Sequence, residues 1–284
     1  AARLLHVVLQ VCRGHVDRWV EPYVKLAMLK LATTESAHLK DSLVCIVANA
    51  IYYNPILAIQ VLSAAGAVQS FFSGWFAMIM VNRVKTGRMK HFRRIHDKKV
   101  VALALMSILA LPEQSLPQEL AASSHLLLAG VVHVMSSMKE QEEMALAEAD
   151  EDEDDEGEEA DEEEGPEEEA DEDNEDGEEE DEEYMKKLQR RARALLGQES
   201  DNEDSDDQFF SEDEDVSTPI DSVEPYILLA DILAGMTTLA PSRHQTLAAH
   251  LAADEPVRTS LQALVAHAEE QRQQREKDLA AADK

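Results

Sequence analysis

Apolar residues recur along this chain at helical spacing, and turn-forming residues punctuate them at short intervals. Residues 3–13 place Leu4, Leu5, Val8, Leu9 and Val11 on one stripe, the repeat of an amphipathic helix. Gly14 is its predicted stop, because glycine adopts the left-handed conformation that ends helices. Pro22 is assigned to the first turn of a second helix, which carries Val24, Leu26, Met28, Leu29 and Leu31. A polar break at 33–36 leads into a helix over 39–53, with Leu43, Ile46, Val47, Ala50 and Ile51 on one face. Asn54-Pro55 closes that helix and opens the next, since the residue before a proline avoids the helical region. Helices follow over 55–65 and, after Gly66, from 68 to about 84. Residues 85–94 are a basic connection, and 96–110 form a strongly apolar helix ended by Leu111-Pro112. Pro117 opens a long helix through Leu120, Leu127, Val131, Val134 and Met138, which runs charged by Lys139. Further helices are predicted over 222–239, 241–251 and 255–280, with residues 271–284 polar on every side and expected to fray.

None of these segments shows the period-two alternation of a strand or an Asn-Gly or Asp-Gly hairpin turn. Helix pairs recur at roughly 40 residues, the period of HEAT and armadillo units. The predicted fold is therefore all-α, a HEAT-type α-solenoid of stacked helical hairpins. The repeat rests on rhythm and not on identity between units, which leaves an irregular helical bundle as the alternative. Composition agrees with helices: 44% of residues are apolar, only 5% are aromatic, and Gly and Pro are sparse.

Charge divides the chain. Residues 148–183 hold 28 acids among 36 positions and no Lys or Arg; residues 199–215 hold 10 acids among 17, again without a base. Outside these stretches 20 acids face 26 bases, so the net charge of −32 belongs to the acidic segments and not to the helices. Such a segment repels itself and has almost nothing to bury, so disorder is expected. The predicted organisation is helical repeats over 1–147, a disordered acidic tract over 148–183, a short basic amphipathic helix over 184–198, a second acidic stretch over 199–217 and C-terminal helices over 218–284. The basic helix places Met185, Leu188, Ala192 and Leu195 on one face, with Lys186, Lys187, Arg190, Arg191 and Arg193 around them. It is a candidate to dock back on the acidic flanks or on the solenoid.

Catalytic signatures are absent. There is no phosphate-cradling glycine loop, nucleophile elbow, zinc-binding His-Glu-x-x-His or Cys-x-x-Cys, so an enzyme is not expected, nor a cofactor or a metal. His125 and His133 could share a helix face, but no thiol or carboxylate completes a site. Cys12 and Cys45 sit within apolar helical patterns and read as buried free thiols in a reducing compartment. No signal peptide is visible, and the richest apolar run, 100–111, is too short to span a bilayer. The chain opens in mid-pattern without Met, which is the expectation for a fragment or a processed chain.

The carboxylates can act collectively on a multivalent basic partner, through many weak, salt-sensitive pairs. The candidate set is Glu151, Asp152, Glu153, Asp154, Asp155, Glu156, Glu162, Glu163, Glu164, Glu178, Glu179, Glu180 and Asp181. Ser200 and Ser211, with acids three positions on, fit an acid-directed kinase; Ser205 fits less well because Gln208 stands at that position. The basic connection, with Phe92 inside it, reads as an inter-helix loop and not as a nucleic-acid site, since a polyanion on the same chain would compete.

Three blocks carry a family resemblance: Asn49-Ala50-Ile51-Tyr52-Tyr53-Asn54-Pro55, Phe71-Phe72-Ser73-Gly74-Trp75-Phe76, and His96-Asp97-Lys98-Lys99 before an apolar helix. With the acidic run, the short helix, more acid, Thr218-Pro219-Ile220-Asp221 and closing helices in that order, nearly the whole chain resembles the C-terminal third of the importin-seven/importin-eight branch of the importin-beta superfamily. Tyr52, Trp75 and Phe76 are expected to be core anchors, Asn54-Pro55 a tight corner, and Asp97 a carboxylate at a helix start. The resemblance implies a receptor carrying basic cargo, such as histones and ribosomal proteins, through nuclear pores. It also implies release on Ran GTPase, nucleoporin contact, and shuttling between cytoplasm and nucleus. In this family Ran binding depends mainly on N-terminal repeats, which this chain is not expected to contain, and the chain stops without a Phe-Gly tail. The other readings are an acidic histone or ribosomal-protein chaperone, and a helical scaffold with an inert acidic spacer.

Overall fold

The computed structural model describes residues 2–81, 89–155 and 218–282. Its helices are α1 (Ala2–Val11), α2 (Asp17–Leu31), α3 (Ala37–Tyr53), α4 (Pro55–Ala64), α5 (Val68–Met80) and α6 (Ile95–Leu109). A 3-10 turn (Glu113–Ser115) and a short α7 (Gln118–Ala122) lead to α8 (Ser124–Asp155), and α9 (Pro225–Leu239), α10 (Pro241–Ala253) and α11 (Glu255–Ala282) close the order. No strand occurs among the described residues. Two compact units divide the chain: Ala1–Ala149 with Val216–Lys284, and Asp150–Asp215. The second contributes only the last turns of α8 to the described residues, and the rest of this section concerns the first.

The fold is an all-helical, HEAT-like α-solenoid. Helix α3 lies against α1 and α2 before it and α4 and α6 after it, and α9 packs on both α6 and its own successors α10 and α11. Two helices are apolar on every side and are accordingly enclosed. In α3 every residue from Leu43 to Ile51 is buried, and in α6 so is nearly every one from Val100 to Leu109. Close approach of α8 to this layer needs Gly130, where a Cβ would meet Leu105 Cδ1 at 3.3 Å and Phe76 Cε1 at 3.7 Å.

Local chemistry explains most boundaries. Gly14 and Gly66 take positive φ after α1 and α4. At Gly66 the Ala67 amide returns to the Leu62 carbonyl (2.9 Å) and the Gly66 amide to Ser63 (2.9 Å), a Schellman end. The Ser36 hydroxyl accepts from the Leu39 amide (3.4 Å), and Asn54 Oδ1 accepts from that of Leu57 (3.1 Å), with Pro55 as first residue of α4. In α11, Asp254 Oδ1 accepts from the Val257 amide (3.2 Å).

Three expectations are corrected. Pro22 lies inside α2, not in its first turn, because the helix already begins at Asp17; its ring faces solvent, where the lost donor is tolerated. The long helix from Pro117 is broken at Ser123, where the Ser124 hydroxyl donates to the Ala121 carbonyl (2.7 Å) and competes with the helical ladder. Helix α8 runs to Asp155. The polar end of the chain stays helical to Ala282, fastened by Arg272 to Asp231 of α9 and by Gln274 to Asp278.

Tyr52, one of the presumed core anchors, is only half-buried; the buried member of that pair is Tyr53. Trp75 and Phe76 lie in the core. A tight feature stands before α6. Phe92, fully enclosed, has φ 55°, a conformation costing a bulky residue on the order of 1–3 kcal/mol. Asp41 holds it there, accepting from His91 Nδ1 (2.6 Å) and the Phe92 amide (3.3 Å).

Candidate functional site: the base of the acidic segment

In the sequence the acidic segment follows α8 and precedes Thr218, so these two points bound it. Both points are held by the start of α6. Lys98, with no exposed surface, reaches across to α8, donating to Gln141 Oε1 (2.6 Å) and the Ser137 carbonyl (3.4 Å). A cation so enclosed needs such oxygen partners to remain charged. On the re-entry side, the Thr218 amide (2.6 Å) and hydroxyl (3.3 Å) donate to Asp221 Oδ2, closing a tight turn that buries Ile220. Lys99 donates to the Asp221 carbonyl (2.9 Å), and His96 Nδ1 stands 3.5 Å from Asp221 Oδ1. Burial alone would raise the Asp221 carboxyl; the Thr218 amide and the nearby His96 outweigh it and hold the group below its usual range. Burial lowers Lys99, against the opposing pull of Asp221, Glu224 and Glu142.

A buried polar chain extends from this turn into the solenoid. The Asn49 amide nitrogen donates to the Cys45 carbonyl (3.1 Å), which turns Asn49 Oδ1 toward Gln10 Nε2 (2.9 Å). The same Gln10 nitrogen lies 3.4 Å from His96 Nε2. The other ring nitrogen, His96 Nδ1, faces Asp221. One run of polar contacts thereby joins α3, α1, α6 and the re-entry turn. Tyr226 completes the seat: its hydroxyl donates to Glu142 Oε2 on α8 (2.9 Å), its ring meets His267 of α11 edge-on (4.8 Å between centroids), and burial beside Glu142 pushes its phenol up.

This arrangement fastens α8 and the Thr218 turn to the start of α6. Among the described residues no three His, Cys, Asp or Glu side chains converge to hold a metal. His125 does not share a site with His133 but stacks on His250 of α10 (4.1 Å between centroids). A shallow depression of about 400 Å³ lies along α10, lined by Gln245, Thr246, Ala249 and His250. Cys12 and Cys45 are free, and burial pushes the Cys45 thiol well up. No single described helix is long and apolar enough to cross a membrane.

The chain is 39% identical over 249 residues, 87% of its length, to an importin beta-like SAD2 homolog of Arabidopsis thaliana. It belongs to the importin-beta superfamily. The importin match extends to a probable importin-7 homolog of Dictyostelium discoideum, 32% identical over 38% of the chain, and to importin-8 of Danio rerio, 24% identical over 54%. The chain spans 24%, 10% and 15% of the lengths of these importins, respectively. No family model and no solved structure matches it.

Within this importin-family chain, Glu151, Asp152, Glu153, Asp154 and Asp155 fall on the backbone of the last turns of α8. Glu156, Glu162, Glu163, Glu164, Glu178, Glu179, Glu180, Asp181, Ser200, Ser205 and Ser211 lie outside the described residues, as does the basic helix expected over 184–198. Asp97 sits in the first turn of α6, and its oxygens take the Arg94 guanidinium in two bonds of 3.0 Å. Sequence reasoning did not single out Asn49, Gln10, Lys98 or Tyr226 as polar hubs. The available signal was a polar residue inside an otherwise apolar stretch, clearest for Asn49 between Ala48 and Ala50.

Proposed function

We propose that this chain is part of a nuclear import receptor that binds basic protein cargo, with residues 148–183 as its electrostatic capture and shielding element. The observation that carries the reading is 28 acids in 36 positions without one base, in a chain of the importin-beta superfamily. Cargo of the matching chemistry is rich in Lys and Arg, such as histone tails and ribosomal proteins. Carboxylates in this number work as a set, by many weak contacts and counterion release, and need no unique geometry. The helical body supplies the seat at α6 and α8. Contact with Ran and with nucleoporins, and shuttling between cytoplasm and nucleus, belong to the longer receptor in this reading. No catalysis is assigned.

The test is binding of a lysine-rich histone-tail peptide to the chain with and without residues 156–217, across a salt series. The reading expects deletion to abolish binding while helix content from residues outside the deletion persists. It also expects intact affinity to fall about tenfold or more between roughly 50 and 200 mM salt. Unchanged affinity after deletion overturns the capture role.

A further inference from the structure

Thr218 stands before Pro219, the one Ser-Pro or Thr-Pro pair among the nine prolines of the chain. A residue before proline favours extended backbone, and proline brings no N–H of its own. A proline-directed Ser/Thr kinase reads both properties together with the hydroxyl. In the folded chain that hydroxyl is put away. Thr218 is 7% exposed, and its amide (2.6 Å) and hydroxyl (3.3 Å) both donate to Asp221 Oδ2. The Asp221 amide returns to the Thr218 carbonyl (3.0 Å) and the Val223 amide to that of Ile220 (3.0 Å). The nucleophile is therefore reachable only when this turn opens. The packing of α9 on α6 is a separate attachment, which opening of the turn leaves in place.

The surroundings have the wrong sign for a dianion. The Lys99 ammonium already answers to three carboxylates, Asp221, Glu224 and Glu142, and His96 stands beside the same Asp221. A phosphate on Thr218 carries about −1.5 to −2 charge at neutral pH. It would lie beside the Asp221 carboxylate that the hydroxyl now contacts, and its ester oxygen keeps no proton to donate.

We propose that Thr218 is a phosphorylation site for a proline-directed kinase, and that its phosphate holds the Thr218 turn open, off the start of α6. In the transfer the Thr218 hydroxyl oxygen attacks the γ-phosphorus of ATP. An O–P bond to threonine forms, the bond from the γ-phosphorus to the bridging oxygen breaks, ADP leaves, and the hydroxyl proton passes to the kinase's aspartate. Opening precedes modification, and repulsion by Asp221 opposes closure afterwards. The effect is to unfasten one of the two points that bound the acidic segment, whether or not that segment captures cargo.

The experiment uses the full chain, ATP and a purified mitogen-activated protein kinase, with a synthetic peptide of residues 212–224 as the reference that lacks the seat. Mass spectrometry is expected to place phosphate on Thr218 in both, more slowly in the chain. Pro219→Ala is expected to abolish it in both, which ties the reaction to the dipeptide and not to access. Asp221→Ala removes the acceptor of Thr218, and is expected to speed phosphorylation of the chain about threefold or more relative to the same change in the peptide. In the phosphorylated chain, amide exchange over 218–223 is expected to quicken about tenfold or more while residues 100–109 keep their protection. Four results overturn the proposal. Thr218 stays unmodified in the chain or in the peptide. Pro219→Ala is phosphorylated as fast as the parent. Asp221→Ala changes chain and peptide alike. Exchange over 218–223 is unchanged or slowed by the phosphate, the outcome if Lys99 and His96 take it up within a closed turn.

Discussion

Replacing Asn49 with alanine tests whether the buried polar chain is one connected unit. Asn49 is 1% exposed and bridges the Cys45 carbonyl and Gln10 Nε2. Gln10 Oε1 already has no partner among buried atoms. Removing Asn49 therefore strands one N–H of an amide whose oxygen is already unpaired, with no water-facing side to turn to. Leaving that donor unsatisfied costs about 1–3 kcal/mol, and the small void adds about 1 kcal/mol. The expected loss is about 2–4 kcal/mol, read by urea denaturation at unchanged m. The Gln10→Ala variant strands Asn49 Oδ1 in turn. Since the two variants break the same bond, the double variant is expected to fall short of additivity by about 1 kcal/mol or more. Additivity within about 0.5 kcal/mol would show that the two amides act independently, and the connected chain from α3 to the re-entry turn would be refuted.

Three further outcomes follow from the same geometry. Burial holds His6 below its ordinary value of 6.5, so its contribution is full above that value and is lost as pH falls through the folded pKa. Denaturation titrations should show a slope of at most about 1.4 kcal/mol per pH unit in that window, flattened in His6→Gln. A leucine at Gly130 drives a side chain into Leu105 and Phe76, and is expected to lower stability by about 1–3 kcal/mol in thermal melts. Asp231→Ala removes the partner of Arg272 on an exposed surface, so global stability should change by less than about 1 kcal/mol while amide exchange quickens after residue 272.

Helices were legible wherever local chemistry decides. Asn54-Pro55 marks a boundary because both the cap and the proline act within four residues, and Gly14 and Gly66 end helices through their own backbone freedom. Where the deciding force is tertiary, the pattern misleads. Tyr52 and Tyr53 are indistinguishable by type, and which is enclosed depends on α3 meeting the α1–α2 corner, where Val16 and Asp17 claim Tyr53. Pro22 reads as a start because nothing in the preceding residues is a strong cap, yet Asp17 already supplies the acidic first turn. The seat of the acidic segment was legible only in part. Thr218-Pro219-Ile220-Asp221 stood out as a block, but its engagement of His96 and Lys99 spans more than 120 residues, which no local pattern encodes.

The seating of both the Thr218 turn and α9 on α6 has a consequence for the length of what lies between. Among the described residues, the halves of the helical body are joined through the Lys99 bond to the Thr218 turn and the packing of α9 on α6. The entropy of closing a long connection grows only with the logarithm of its length, about 0.6 kcal/mol for each doubling. By the closure entropy alone, insertions and deletions in that stretch change folding little. The number of carboxylates can drift, expand or contract as a quantity of its own, adjustable without redesign of the solenoid that carries it.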